Sequence, residues 1–240
     1  FDQAGMLREF VKWDYELRRN ENINHIVQRA FRVAASEPWG PVYLTLPREV
    51  LMEAIQQVSI LPPARHGPAI SPQGDLEALR EAATWLAQAE RPVLITSYAG
   101  RHTQTVAALV ELAELLAIPV VETRTRVNFP TDHPLHGGES PAPYLREADV
   151  VLVVDHDVPY IPALARPRPE AKVIHIDIDP VKASIPLWNF PTDLSIVANS
   201  ARAIPFLSEA ARSQLTGADA RRIEARRQQL ADRHRGQRQQ

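Results

Sequence analysis

Between Asn22 and Ser36 the apolar positions Ile23, Ile26, Val27, Ala30, Phe31 and Ala34 recur at helical spacing, and Asn22 stands where it can cap the first turn, so the pattern predicts a helix. The run Val42 to Leu46 follows, short and β-branched, aromatic or apolar, bounded by Gly40-Pro41 and Pro47, which reads as a buried strand. Residues 1–20 mix Phe10, Trp13 and Tyr15 with Arg8, Glu9, Lys12 and Asp14 without a period and predict no element. Beyond Pro47 the prolines of Leu61-Pro62-Pro63, Gly67-Pro68 and Ser71-Pro72 mark an extended linker.

From Ser71-Pro72 a helix is expected, serine-capped, with Leu76, Leu79, Ala83 and Leu86 as its buried stripe. Val93 to Thr96 is an almost continuous apolar run, as in a parallel strand covered on both faces. After a turn over Ser97 to His102, a second helix carries Val106, Leu109, Val110, Ala113 and Leu116, and Pro119 to Val121 makes another strand. Residues 123–143, rich in proline, read as a long ordered loop, followed by a short helix at Tyr144 to Glu147. Strands at Val150 to Val154, Lys172 to Asp177 and Leu194 to Val197, then a helix from Ser200 to Arg212, complete the alternation. The expected fold is α/β: a doubly wound, Rossmann-like parallel sheet of about six strands over residues 71–213, preceded by the C-terminal remnant of a second α/β domain in 1–55 and a linker in 56–70. A strand and one or two helices are too little chain to bury a core alone, so residue Phe1 is expected to be a cut end.

Composition narrows the function classes. A formal net charge of -2 on 240 residues gives no overall field for nucleic acid or an anionic membrane. No apolar run approaches the length of a membrane span and no basic-then-apolar leader opens the chain, so a cytoplasmic protein is expected, with neither nucleic acid nor membrane as partner. The absence of cysteine excludes disulfides, thiolate metal sites and cysteine nucleophiles. Residues 214–240 differ in kind: seven arginines against Asp219, Glu224 and Asp232 predict a basic, solvated helical tail leading into a linker.

Candidate chemistry is sparse. The turn Ser97-Tyr98-Ala99-Gly100-Arg101-His102 joins a strand to a helix, where free N–H groups can receive a dinucleotide phosphate, and Arg101 could pair with it. It holds one glycine where the full fingerprint has three. Asp155 ends a parallel strand, the edge at which open sheets place ligands, and Asp177 ends the next, where an acid either meets a ribose or caps the loop. The candidate cofactor-binding set is therefore Ala99, Gly100, Arg101, Asp155 and Asp177. His133, His136 and Asp155-His156-Asp157 are read as polar loop residues, and no metal ligand is assigned. No nucleophile elbow, phosphate loop or His-Glu-x-x-His is present, and no catalytic residue is assigned.

With GPVYLTLPREV, RPVLITSYAGRH, PTDHPLHGGES, ADVVLVVD and KVIHIDIDP in that order, the chain resembles the thiamine-diphosphate-dependent enzymes of the acetolactate synthase group up to about residue 212. The resemblance implies that residues 1–55 end a pyrimidine-binding domain, that 71–213 form the central domain, and that 214–240 lead toward a diphosphate-binding domain. It implies thiamine diphosphate and magnesium held outside these residues, a homodimeric or homotetrameric enzyme, and formation or cleavage of carbon–carbon bonds, including decarboxylation, on 2-keto acids or related carbonyl compounds. Some members bind FAD across the central domain. Here the arginine and the glycines of the second flavin stretch are missing at Asp155-His156-Asp157-Val158-Pro159, so a degenerate flavin site and a mainly structural, inactive fragment are expected. The alternative is a stand-alone FAD- or NAD-binding module of similar topology.

Overall fold

The computed structural model describes residues 2–55, 57, 60, 62–123 and 126–238. Phe1, four residues of the expected linker (Gln56, Val58, Ser59 and Leu61), Arg124 and Thr125 of the expected 123–143 loop, and the last two of the tail lie outside the described residues. The chain divides into two compact units, Phe1–Ser71 and Pro72–Gln240.

The first unit runs α1 (Gln3–Leu7), β1 (Trp13–Glu16), α2 (Ile23–Ala35), β2 (Val42–Thr45) and α3 (Arg48–Met52). The strand β1 falls where the sequence predicts no element. It pairs in parallel with β2, Trp13 opposite Val42 and Tyr15 opposite Leu44, so its stability comes from a partner 29 residues away rather than from any local period. Asn22 makes no side-chain cap on α2, contrary to expectation, because a 3-10 turn over Asn20–Asn22 leads directly into the helix. The other end is closed by Lys12, whose ammonium donates to Val33 O at 2.8 Å and Ser36 O at 2.6 Å.

The second unit contains α4 (Leu76–Gln88), β3 (Pro92–Thr96), α5 (Thr103–Leu116), β4 (Val120–Glu122), α6 (Ala142–Leu145), β5 (Val150–Val154), β6 (Lys172–Asp177), β7 (Leu194–Val197), α7 (Ser200–Arg212) and α8 (Gly217–Arg238). Helix α4 starts four residues later than the sequence predicts. Its cap is Asp75, whose Oδ1 accepts from Glu77 N and Ala78 N at 3.0 and 2.9 Å, while Gly74 takes φ +97° before it.

All neighbouring strands are parallel, in the order β4-β3-β5-β6-β7. The sheet thus has five strands, not about six. One face packs on α4, α5 and α7 through fully buried Leu79, Leu86, Leu109, Leu112, Leu116 and Leu207. Burying each such side chain contributes about 1.5–3 kcal/mol. The other face carries Val93, Ile95, Val151, Val153 and Val173 under Leu145 of α6, Ala148 and Tyr160. The β5–β6 and β6–β7 crossovers hold Pro159, Pro162, Pro167, Pro169, Pro180, Pro186 and Pro191 and form no α-helix, since proline breaks the backbone ladder.

The basic tail is helical over α8, but it is not simply solvated. Ile223 is 5% and Arg226 8% exposed. The Arg226 guanidinium donates to Ala117 O at 3.0 Å, to Ala89 O and Glu90 O at 2.9 Å, and to Leu116 O, satisfying carbonyls at the C-terminal ends of both α4 and α5. Arg222 reaches Ala87 O, and Arg227 reaches Glu114 O at 2.6 Å. These arginines dock the helix through their positive charge.

Candidate functional site

In this strand order β3 has its sequence successor β4 on one side and β5 on the other. The chain therefore reverses direction between β3 and β5, and open α/β sheets bind ligands outside the carboxyl ends of the strands at such a point. The five candidate residues all lie at this edge. Ala99, Gly100 and Arg101 form the 3-10 turn between β3 and α5, Asp155 follows β5, and Asp177 ends β6.

Asp155 is fully buried and sits in the left-handed region at φ +48°, a conformation that costs energy in a residue bearing a Cβ. Its backbone spans the sheet edge, since its N–H donates to Ile176 O at 3.0 Å and its carbonyl accepts from Ser97 N at 3.2 Å and Tyr98 N at 3.0 Å. Its carboxylate takes the Arg101 guanidinium at 3.1 Å and the Ser200 hydroxyl at the start of α7. Burial pushes its pKa up, and Arg101 and Ser200 pull it back only partly, to about 6.

Asp177 is also fully buried and receives donors from several segments. Its Oδ1 accepts from Asp179 N at 2.9 Å, so it caps its own loop, and its Oδ2 accepts from His156 N at 3.1 Å, Lys182 Nζ at 2.9 Å and the Tyr98 hydroxyl at 2.5 Å. Burial alone would raise its pKa. The His175 imidazole and the Lys182 ammonium, with the Asp179 N–H and the Tyr98 hydroxyl, outweigh that and hold it well below the ordinary carboxylate range. Tyr98 is driven far above its usual value by burial and then by Asp177, so it stays a neutral phenol. His156, 4% exposed, is pulled down to about 4 chiefly by burial and is neutral, with Nε2 3.3 Å from Thr123 Oγ1.

The turn that would cradle a phosphate is occupied by the protein itself. Gly100 N donates to Asn128 Oδ1 at 3.0 Å, Arg101 N to Tyr98 O at 3.0 Å and His102 N to Ala99 O at 3.2 Å. A Cβ on Gly100 would stand 2.0 Å from Val127 O, so this glycine serves close approach of the 126–129 loop rather than of a ligand. Arg101, which the sequence offers as a phosphate partner, is turned inward onto Asp155, and Asp177 serves as a loop cap and a counter-ion for Lys182.

Sequence reasoning missed Lys182, Tyr98, Ser200 and Glu122. Lys182, 6% exposed, pairs with Asp177 and with Asp157, each at 2.9 Å. A usable signal existed, because Lys12, Lys172 and Lys182 are the only lysines in a chain that otherwise carries its positive charge on arginine. Glu122, 6% exposed, holds the loop at Asn128 and Phe129 by accepting from Asn128 N at 2.9 Å and Phe129 N at 3.1 Å, and it lies 3.3 Å from His136 Nε2. His133 lies 3.2 Å from Glu114 and its Nδ1 accepts from Leu135 N at 3.1 Å, so both histidines are loop fasteners. Among the described residues no group of three His, Asp or Glu side chains could hold a metal ion, and no helix is long and apolar enough to cross a membrane.

Known proteins match this architecture. The model of the thiamine pyrophosphate enzyme central domain matches residues 79–207. The acetolactate synthase isozyme 1 large subunit of Escherichia coli is 33% identical over 188 residues, which covers 74% of this chain and 33% of that protein. The acetolactate synthase large subunit IlvB1 of Mycobacterium tuberculosis is 32% identical over 193 residues, covering 75% and 31%. Benzoylformate decarboxylase from Polynucleobacter necessarius superimposes with a TM-score of 0.69 at 24% identity over 85% of this chain and 38% of that one, a likeness of fold. The chain spans about a third of the length of the curated relatives it matches.

Proposed function

The chain belongs to the thiamine pyrophosphate enzyme family through its central domain, and from that membership we propose that it is the structural middle of an acetolactate-synthase-like enzyme acting on 2-keto acids or related carbonyl compounds. In this reading the whole protein forms or cleaves carbon–carbon bonds, as a transferase or lyase, with thiamine diphosphate supplying the carbonyl chemistry and magnesium holding its diphosphate. The described residues offer that cofactor no fitting site, having neither a metal-ligating cluster nor a free phosphate cradle, so no step of the reaction is assigned to them. The matched stretch covers only about a third of each relative's length, which supports placing the cofactor residues in other parts of the protein. Residues 1–55 fit the end of a pyrimidine-binding domain, residues 71–213 the central domain, and α8 the start of the passage to a diphosphate-binding domain.

One observation carries the structural role of the second unit: the switch-point crevice is filled by Arg101–Asp155 and Tyr98–Asp177–Lys182. Buried charges already paired with one another have little to gain from a flavin, and displacing them would leave charges without partners. The reading therefore assigns this domain no FAD, no catalysis of its own and a part in joining catalytic domains within a cytoplasmic homo-oligomer. The test is turnover by the complete polypeptide. Carbon dioxide release from pyruvate should require added thiamine diphosphate and a divalent cation and should persist without FAD. A protein that turns over no 2-keto acid with that cofactor, or that loses activity when FAD is stripped, would overturn it.

A further inference from the structure

The β6–β7 segment inverts the usual pattern of burial. Its lysine points in, with Lys182 6% exposed, while Val181 is 65% and Leu187 96% exposed. Little apolar burial holds this segment between Asp177 and Trp188, and among its described residues it forms no helix. We propose that Lys182, Asp177 and Tyr98 form an electrostatic latch that straps residues 178–188 across the carboxyl edge of the sheet.

Three separate pieces of chain meet at the latch. Tyr98 comes from the turn after β3 and donates to Asp177 Oδ2 at 2.5 Å. Lys182 donates to the same oxygen at 2.9 Å and to the Tyr98 hydroxyl, and its ammonium lies 5.1 Å from the Tyr98 ring centroid. Its third partner is Asp157 after β5, at 2.9 Å. Trp188 closes the far end by donating from Nε1 to Asp157 O at 2.5 Å and stacking on His175. Lys182 holds φ +53°, outside the basin a lysine prefers, so its contacts pull the backbone into place. An apolar strap would be anchored by the hydrophobic effect. Here a few charge-assisted bonds do that work, and loss of one member frees the segment while the core beneath stays packed.

The test is hydrogen–deuterium exchange on the 240-residue chain, comparing the natural protein with K182M. Amides of residues 178–187 should exchange about tenfold faster or more in the variant, the loss expected for a charge-assisted bond, while those of α5 and α7 stay within about twofold. Unchanged exchange over 178–187 in folded K182M would overturn the proposal, as would acceleration spread evenly over the second unit. Should K182M not fold, Y98F decides, because it removes one hydroxyl and keeps the ring. Faster exchange confined to 178–187 supports the latch, and unchanged exchange overturns it.

Discussion

Replacing the buried Arg226 by methionine should be among the most damaging single changes in α8. The guanidinium donates to four main-chain carbonyls at the ends of α4 and α5, and among the described residues no carboxylate forms an ion pair with it. Burial and the neighbouring Arg222 draw its pKa down to about 10, which still leaves it charged at neutral pH. Charge-assisted hydrogen bonds contribute about 1.5–3 kcal/mol each, so the four together contribute about 6–12 kcal/mol. Desolvating a guanidinium costs several kcal/mol, and methionine keeps part of the packing, so the net loss should be about 3 kcal/mol. With a urea m-value of about 3 kcal/mol/M for a chain of this size, the unfolding midpoint should fall by about 1 M. Helical circular dichroism is a suitable signal, since α4, α5, α7 and α8 hold most of the helix. The control is Arg221→Met, an exposed arginine five residues earlier in the same helix, expected to change stability by no more than about 0.5 kcal/mol. Equal midpoints for the two variants would refute the idea that α8 is clamped by helix-end carbonyls. Arg226→Lys should recover little, because one ammonium cannot reproduce the fork of donors.

The remaining predictions concern the sheet edge. His156 titrates at about 4 in the folded chain against 6.5 unfolded, so its contribution to stability is fully present above pH 6.5 and is lost as pH falls toward 4. That contribution is worth about 3 kcal/mol. Asp155, raised to about 6 from 3.8, acts in the opposite sense and gains stability as pH falls through the same window, so the natural chain should show a shallow profile. His156→Gln should unmask the Asp155 limb, and urea midpoints that no longer fall, or even rise, between pH 6.5 and 4.5 would bear this out; a profile parallel to that of the natural protein would count against it. Gly100→Ala places a Cβ 2.0 Å from Val127 O and should cost about 1–3 kcal/mol, read as a fall of several degrees in melting temperature; an unchanged melting temperature would show that the 126–129 loop yields freely.

The central sheet was legible in the sequence because a parallel strand buried on both faces must be apolar at nearly every position, as Val150 to Val154 are. The helices that cover it announced themselves by period. Strand β1 did not, since Trp13 and Asp14 are half-buried and Tyr15 and Glu16 exposed, with no alternation to read, and its pairing is non-local. The site was half legible. Asp155 and Asp177 were placed by their position after strands, and Gly100 by its place in the turn, but what those residues bind was hidden. Lys182 reaches Asp177 from a proline-flanked loop with no periodicity, and Arg101 looks outward-facing in a turn sequence until the fold brings Asp155 beneath it. The docking of α8 was illegible for a related reason: its arginines find backbone carbonyls, which leave no mark on the sequence of the helices that supply them.

The central claim is that this chain scaffolds a cofactor-dependent enzyme without holding a cofactor of its own. Equilibrium dialysis of the 240-residue chain against FAD, and separately against thiamine diphosphate with magnesium, tests it most directly. The expected result is no saturable binding of either up to about 100 μM, a ceiling that corresponds to less than about 5.5 kcal/mol of affinity. Stoichiometric FAD binding at micromolar levels would contradict it, because the flavin would then have to enter a crevice that Arg101, Tyr98 and Lys182 fill.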